Sequence, residues 1–248
     1  MTNRLIGIKI LADMNIILFE DSDLRKPDLA SFSDRRFLHI RDVHRAAVGD
    51  QLRVGRLNGA MGTGLITKLD ETSVEVEVNL NEQPPAPLPL TLYLALPRPK
   101  SVARILQTVA TFGIKKIYVF NSYRVEKIYW SCQQIKEGEV KSAFMLGLEQ
   151  ARDTILPQIE FRRLFKPFVE DELPALIHGT HALVAHPLAE ERCPFAPSPP
   201  LSLAIGPEGG FIDYEIEKLN AAGFQSVRTY DRILKVEAAL SSLVGRLL

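Results

Sequence analysis

The chain has little cysteine, a single tryptophan, no net charge and no long apolar run. Among 248 residues only Cys132 and Cys193 are cysteines, far apart and without a C-x-x-C spacing. This excludes a zinc knuckle, a thioredoxin-like redox motif and a disulfide scaffold, and reads as two reduced thiols in a cytoplasmic protein. The 30 Lys+Arg residues are balanced by 30 Asp+Glu. A protein that coats nucleic acid through bulk charge is therefore excluded, although a local basic face is not. No apolar stretch approaches the roughly 20 residues of a membrane helix. Met1–Phe19 is interrupted by Lys9 and Asp13 and is followed by no small-residue cleavage site, so it does not read as a signal peptide. Met14 is an alternative start, which would make residues 1–13 an extension. The histidines form no H-E-x-x-H, and no G-x-S-x-G is present, so neither a metal site nor an α/β-hydrolase elbow is expected.

What is present is an ordinary globular composition, 46% hydrophobic and 24% charged, in a chain long enough to bury its own core. Pro84, Pro85, Pro87 and Pro89 crowd together, which favours stiff, extended backbone and divides the chain at a linker over 84–89. Residues 14–83 look β-rich. Gln51–Gly55 and Gly62–Ile66 flank an Asn58-Gly59 turn, and Val74, Val76 and Val78 alternate with polar residues, the pattern of a half-exposed strand. These short strands suggest a small barrel, with Arg35–Val43 a short helix among them. Residues 90–248 instead alternate strand and helix. Strands are expected at Leu90–Leu96, Lys116–Asn121, Ala182–His186, Leu201–Ile205 and Gln225–Tyr230. Helices are expected from a Ser101 cap to Gly113, over Glu137–Arg152, over Asp213–Ala222 and over Ile233–Leu248. Such alternation implies a parallel sheet covered on both faces.

Four segments are candidates for chemistry. Ile205-Gly206-Pro207-Glu208-Gly209-Gly210-Phe211 follows an apolar strand and precedes a helix, where glycines let backbone N–H groups approach a ligand. Its spacing is neither the Rossmann fingerprint nor a P-loop, and a plain strand–turn–helix junction is an equal reading. Arg232-Ile233-Leu234-Lys235-Val236-Glu237-Ala238 reads by periodicity as the start of an amphipathic helix. Arg98–Lys127 holds seven cations, among them Arg98, Lys100, Arg104 and Arg124, against one acid, Glu126. That stretch suits phosphate contacts, and it leaves the rest of the chain net acidic. Arg41 and Arg45 belong to a weaker basic cluster in the small domain, diluted by Asp34, Asp42 and Asp50.

The 205–211 loop combined with the 232–238 segment resembles the 16S rRNA (uracil-N3)-methyltransferase family of the knotted SPOUT class. Glu149-Gln150-Ala151-Arg152 with Pro157, and the strand-end pair His186-Pro187, are similar to further motifs of that family. The sequence departs from the pattern at Thr229-Tyr230, Lys235 and Ala238, and at Thr111-Phe112-Gly113.

The resemblance implies an α/β fold, a SPOUT-type parallel sheet flanked by helices with a C-terminal deep trefoil knot, plus a small N-terminal PUA-like β-barrel that grips RNA. It implies S-adenosyl-L-methionine as methyl donor, bound by His186, Ile205, Gly206, Pro207, Gly209, Gly210, Tyr230, Arg232, Ile233, Leu234 and Val236, with no metal. It further implies Arg152, Glu208 and Glu237 as catalytic candidates, and RNA contacts from Arg98, Lys100, Arg104, Arg124, Arg41 and Arg45. The expected activity is methylation of uridine N3 in 16S ribosomal RNA of the small ribosomal subunit. The partners are that RNA and a second copy, joined through the knotted domain, and no membrane. The alternatives are a non-catalytic RNA-binding or ribosome-assembly protein that keeps the fold, and an enzyme of this class acting on a different RNA nucleotide.

Overall fold

A computed structural model describes residues 15–248. The expected extension over 1–13 and the alternative start Met14 lie outside the described residues. The chain forms two compact units. One takes the residues up to Pro85 together with Leu148–Leu156, and the other takes Ala86–Gly147 and Pro157–Leu248. Leu148–Leu156, expected in the larger domain, therefore belongs to the smaller unit. The linker expected over 84–89 is also shorter, because Leu88 already begins a strand.

The first unit contains β1 (Ile17–Phe19), β2 (Leu24–Lys26), β3 (Leu29–Phe32), α1 (Arg35–Leu38), β4 (Gln51–Arg56), β5 (Met61–Leu69) and β6 (Val74–Glu82). A further helical turn over His39–Val43 continues α1. The strands form one sheet in the order β1-β4-β5-β6-β3-β2, antiparallel except for β1 against β4. Val74 and Val76 point into a core with Phe19, Phe32, Phe37, Ile40, Leu52 and Ile66, as the alternation requires. Asn58 turns the chain between β4 and β5 at φ +59, a conformation its short polar side chain tolerates.

The second unit contains β7 (Leu88–Ala95), α2 (Pro99–Thr111), β8 (Ile114–Phe120), most of α3 (Glu137–Ala151), β9 (Gln158–Arg162), α4 (Phe165–Pro167), α5 (Leu173–Leu176), β10 (His181–Ala185), β11 (Leu201–Ile205), α6 (Asp213–Ala222), β12 (Gln225–Val227) and α7 (Val236–Leu247). Its six strands run in the order β12-β10-β11-β7-β8-β9, every pair parallel. β11 is buried along its whole length, which is why its sequence is apolar except at Ser202, whose hydroxyl accepts from Thr180 Oγ1 at 2.9 Å. One face of the sheet buries an aromatic cluster of Tyr93, Tyr118, Phe120, Phe168, Phe211 and Phe224, with the Tyr93 and Tyr118 rings stacked at 5.3 Å. Burial pushes the Tyr93 phenol up to about 12. α2 turns Val102, Ile105, Leu106 and Val109 into the core and packs against α7.

Three expected boundaries move. α2 starts at Pro99 behind Arg98 rather than at a Ser101 cap, since proline suits a first helical position whose N–H has no partner. β12 ends at Val227 and α7 begins only at Val236, where a strand to Tyr230 and a helix from Ile233 were expected. The intervening backbone pairs elsewhere: Arg228 N–H donates to Glu191 O at 2.9 Å, and Cys193 N–H to Arg228 O at 2.8 Å. Because all strands of this sheet are parallel, the segments following β7, β8, β10, β11 and β12 emerge along one edge. Open α/β sheets bind their ligands at such an edge.

Candidate functional site

A cleft of about 500 Å³ opens at that edge, within the range of small-molecule sites. Three segments line it: Ala185–Leu188 after β10, Ile205–Asp213 after β11, and residues from Val227 to Val236 after β12. The middle segment is shaped by its glycines. A Cβ on Gly206 would lie 3.2 Å from both the Phe211 ring and the Phe211 backbone N, so a side chain there would crowd the returning loop and force a shift of a few tenths of an ångström. A Cβ on Gly209 would lie 2.8 Å from Arg124 Cδ, and Arg124 Nη1 donates to Gly209 O.

The loop is fixed from two further directions. The Glu208 carboxylate accepts the Arg98 backbone N–H, 3.1 Å from each oxygen, and so ties the loop to the start of α2. Glu215, 2% exposed in the first turn of α6, accepts from Ile212 N–H at 3.0 Å, Tyr123 N–H at 2.7 Å and Ser122 Oγ at 3.2 Å. One buried carboxylate thus joins the segment after β8 to the end of the glycine loop, with its lone pairs satisfied.

The third wall is held by charge. Asp231 pairs with Arg192 at 3.1 Å and with Arg228 at 3.4 Å. On the first wall, His186 N–H donates to Val227 O at 2.9 Å. Burial holds the His186 imidazole below its ordinary value, against the opposing pull of Asp213, so the ring is neutral at neutral pH. Leu188, Tyr230 and Ile233 stand exposed at the rim.

Every residue expected of a cofactor site, from His186 through Val236, lines this cleft, and Glu208 lines it with them. Arg152 does not; it lies in the first unit, exposed, with a left-handed backbone at φ +55. Glu237 sits half-buried in the first turn of α7 and is not among the lining residues. Arg98, Lys100 and Arg104 are exposed at the start of α2, and Arg124, also expected on RNA, is exposed and lines the cleft. In the first unit, Arg41 is held by Asp42 at 2.6 Å and lies over the Phe37 ring, while Arg45 is exposed at φ +49. Glu215 was missed by the sequence reading. Its one visible signal is an acid three residues after the position that caps α6, where a carboxylate can reach back to a free N–H.

Among the described residues no His, Cys, Asp and Glu cluster is arranged to hold a metal, and no helix is long and apolar enough to cross a membrane. A profile of the RNA methyltransferase domain matches residues 84–248. A ribosomal RNA small subunit methyltransferase E from Treponema pallidum is 30% identical over 91% of this chain and 87% of its own length. The fold resembles a solved ribosomal RNA small subunit methyltransferase E of Neisseria gonorrhoeae bound to S-adenosyl methionine, with a TM-score of 0.71 at 18% identity, covering 93% of this chain and 96% of that one. It also resembles a putative methyltransferase of Legionella pneumophila with bound cofactor, with a TM-score of 0.64 at 21% identity, covering 92% and 94%. The chain belongs to the RNA methyltransferase family, in the group of the small-subunit ribosomal RNA methyltransferases E.

Proposed function

We propose that this chain transfers a methyl group from S-adenosylmethionine to ring N3 of a uridine in 16S ribosomal RNA, in the cytoplasm. The glycine loop carries the reading. At Gly206 the backbone itself forms the wall of a cleft whose other walls, Ile205, Leu234 and Val236, are apolar. That combination suits an adenosyl group, whose ring faces need apolar contact and whose edge needs backbone donors and acceptors. When bound, S-adenosylmethionine supplies an activated methyl on its sulfonium.

The chain's own residues position the acceptor and handle one proton. A neutral uracil imide has no lone pair free at N3, so the N3 proton must leave as the bond to carbon forms. Glu208 takes that proton in this reading, its carboxylate oriented by the Arg98 N–H. Arg152 contacts substrate oxygens, and Glu237 steadies the segment that leads into α7. Arg98, Lys100, Arg104 and Arg45 meet phosphates, while Arg41 is already balanced by Asp42.

A trefoil knot over β10 to α7 belongs to the same proposal. It is supported by the return of β12 to the edge beside β10 and by the pairing of Arg228 with Glu191 and Cys193. A PUA-like role for the first unit and a homodimer through the second also belong to it.

The test incubates the protein with S-adenosylmethionine and small subunits from cells lacking this gene, then maps modified nucleosides by mass spectrometry. New 3-methyluridine in 16S RNA is the expected product. Cofactor binding by calorimetry with methylation of a different nucleotide would revise the acceptor. Absence of cofactor binding would leave a non-catalytic RNA-binding protein.

A further inference from the structure

We propose that Tyr123 is a stacking platform for an unpaired nucleobase of the RNA beside the cleft. The proposal rests on the methyl-transfer reading and extends it to a residue outside the cofactor site. A single exposed apolar residue is ordinary on any surface; Tyr123 differs in how its backbone is held.

Tyr123 is 79% exposed, and its side chain makes no hydrogen bond or ring contact among the described residues. The other tyrosines are engaged. Tyr93 and Tyr118 stack in the core, Tyr129 donates to Glu126, Tyr214 faces Lys218, and Tyr230 lines the cleft. The Tyr123 backbone, by contrast, is anchored. Its N–H donates to buried Glu215 at 2.7 Å, the preceding Ser122 bonds the same carboxylate, and the following Arg124 is bonded to Gly209 O. A surface loop with a bare ring usually carries no such anchorage. Here the ring is presented to solvent from a backbone fixed on both sides.

The position is also specific. Tyr123 follows β8 at the same sheet edge as the cleft, one residue from a side chain that lines it. The side chains of Arg98, Lys100, Arg104 and Lys127 are exposed in the neighbouring segments and form no ion pair among the described residues. An aromatic face on the same sheet edge as exposed cations suits single-stranded nucleic acid, whose phosphates the cations follow while the ring stacks a base. It meets a need of the reaction, because a ring nitrogen engaged in a stacked helix is out of reach, and the unstacked base or its neighbour must be given a new stacking partner.

The experiment uses the full chain with three variants, Tyr123→Ala, Tyr123→Phe and Tyr123→Trp. Alanine is expected to raise KM for the RNA substrate about tenfold, the typical loss for one stacked base. The dissociation constant for S-adenosylmethionine is expected to stay within twofold. Phenylalanine and tryptophan should remain within twofold of the parent on both, because a π-face and not a hydroxyl is required. The salt dependence of RNA binding should be unchanged in Tyr123→Ala, since no phosphate contact is lost. A KM within twofold for alanine, or phenylalanine falling as far as alanine, overturns the proposal. If the parent protein transfers no methyl group at all, the methyl-transfer reading fails. Binding of an oligouridylate to the parent and to Tyr123→Ala still decides the stacking by the same tenfold criterion.

Discussion

In the first unit, Arg35 meets Glu149 at 2.6 Å, Arg36 meets Asp23 and Asp34 at 2.7 Å, Arg53 meets Glu82 at 2.7 Å and Arg56 meets Asp21 at 2.6 Å. In the second, the guanidinium and ammonium groups of Arg98, Lys100, Arg104 and Lys127 stand exposed and form no ion pair among the described residues. Both stretches look basic when arginines and lysines are counted along the chain. Their physical states differ. A bidentate pair fixes geometry and cancels its own field, and the hydrogen bond from Arg53 holds the Glu82 carboxyl below its usual range. An unpaired cation keeps its field for a ligand. The comparison teaches that the carboxylate-paired arginines of the smaller unit, Arg35, Arg36, Arg53 and Arg56, build the unit, while the exposed cations near α2 are available for binding.

The sharpest break of that contrast is Arg36→Ala. The Arg36 side chain is only 13% exposed, bonds two aspartates and also donates to Leu18 O at 2.9 Å. Removing it should destabilise the protein by about 3 kcal/mol, because two carboxylates lose their partner. Urea denaturation reads this, and the affinity for S-adenosylmethionine should not move. The converse variant replaces Arg98, Lys100 and Arg104 with Ala together. RNA affinity should fall by about 2 kcal/mol and the slope of log K against log salt by roughly 2 to 3, with the melting temperature unchanged. A loss of stability in that triple variant would put its cations in the same class as Arg36.

A finer comparison sets Arg41→Ala against Arg104→Ala. The first should change RNA affinity less than about twofold, because Asp42 already neutralises Arg41, and the second by about fivefold. Filter binding at fixed salt distinguishes them. The smallest effect concerns pH. Burial lowers the imidazoles of His186 and His44 below their ordinary value. As pH falls through about 6.5 the unfolded chain takes up protons that the native state resists, so stability declines toward acid and is undiminished above that range. His186→Gln should flatten this decline slightly in melting curves between pH 7.5 and 5.5. Partial exposure of the ring keeps the shift to about 2 °C or less.

The parallel sheet was legible because β11 and β10 are short, mostly apolar segments between turn residues, and α2 because its apolar residues recur at helical spacing. β1 to β3 were not, since strands of three or four residues are too short to display a period. β9 was missed for a related reason: none of its residues is fully buried, so it carries no apolar run. The glycine loop could be read because glycine's role there is local. Glu215 could not, as two of its partners, Ser122 and Tyr123, lie more than ninety residues away.

By itself, the sequence determined what depends on neighbours in the chain: the alternation that makes a covered parallel sheet, the glycines that open a loop to a ligand, the absence of cysteine pairs and the balance of total charge. The tertiary structure decided what depends on distance in space. It gave Arg35, Arg36, Arg53 and Arg56 their carboxylates, moved Leu148–Leu156 into the smaller unit, and pulled the backbone between β12 and α7 out of strand and helix to wall a cleft. The physical reason is the same in each case. Pairing, burial and cleft formation are interactions between groups remote in sequence, and their strength is set by separation and solvent exposure, which no local pattern encodes.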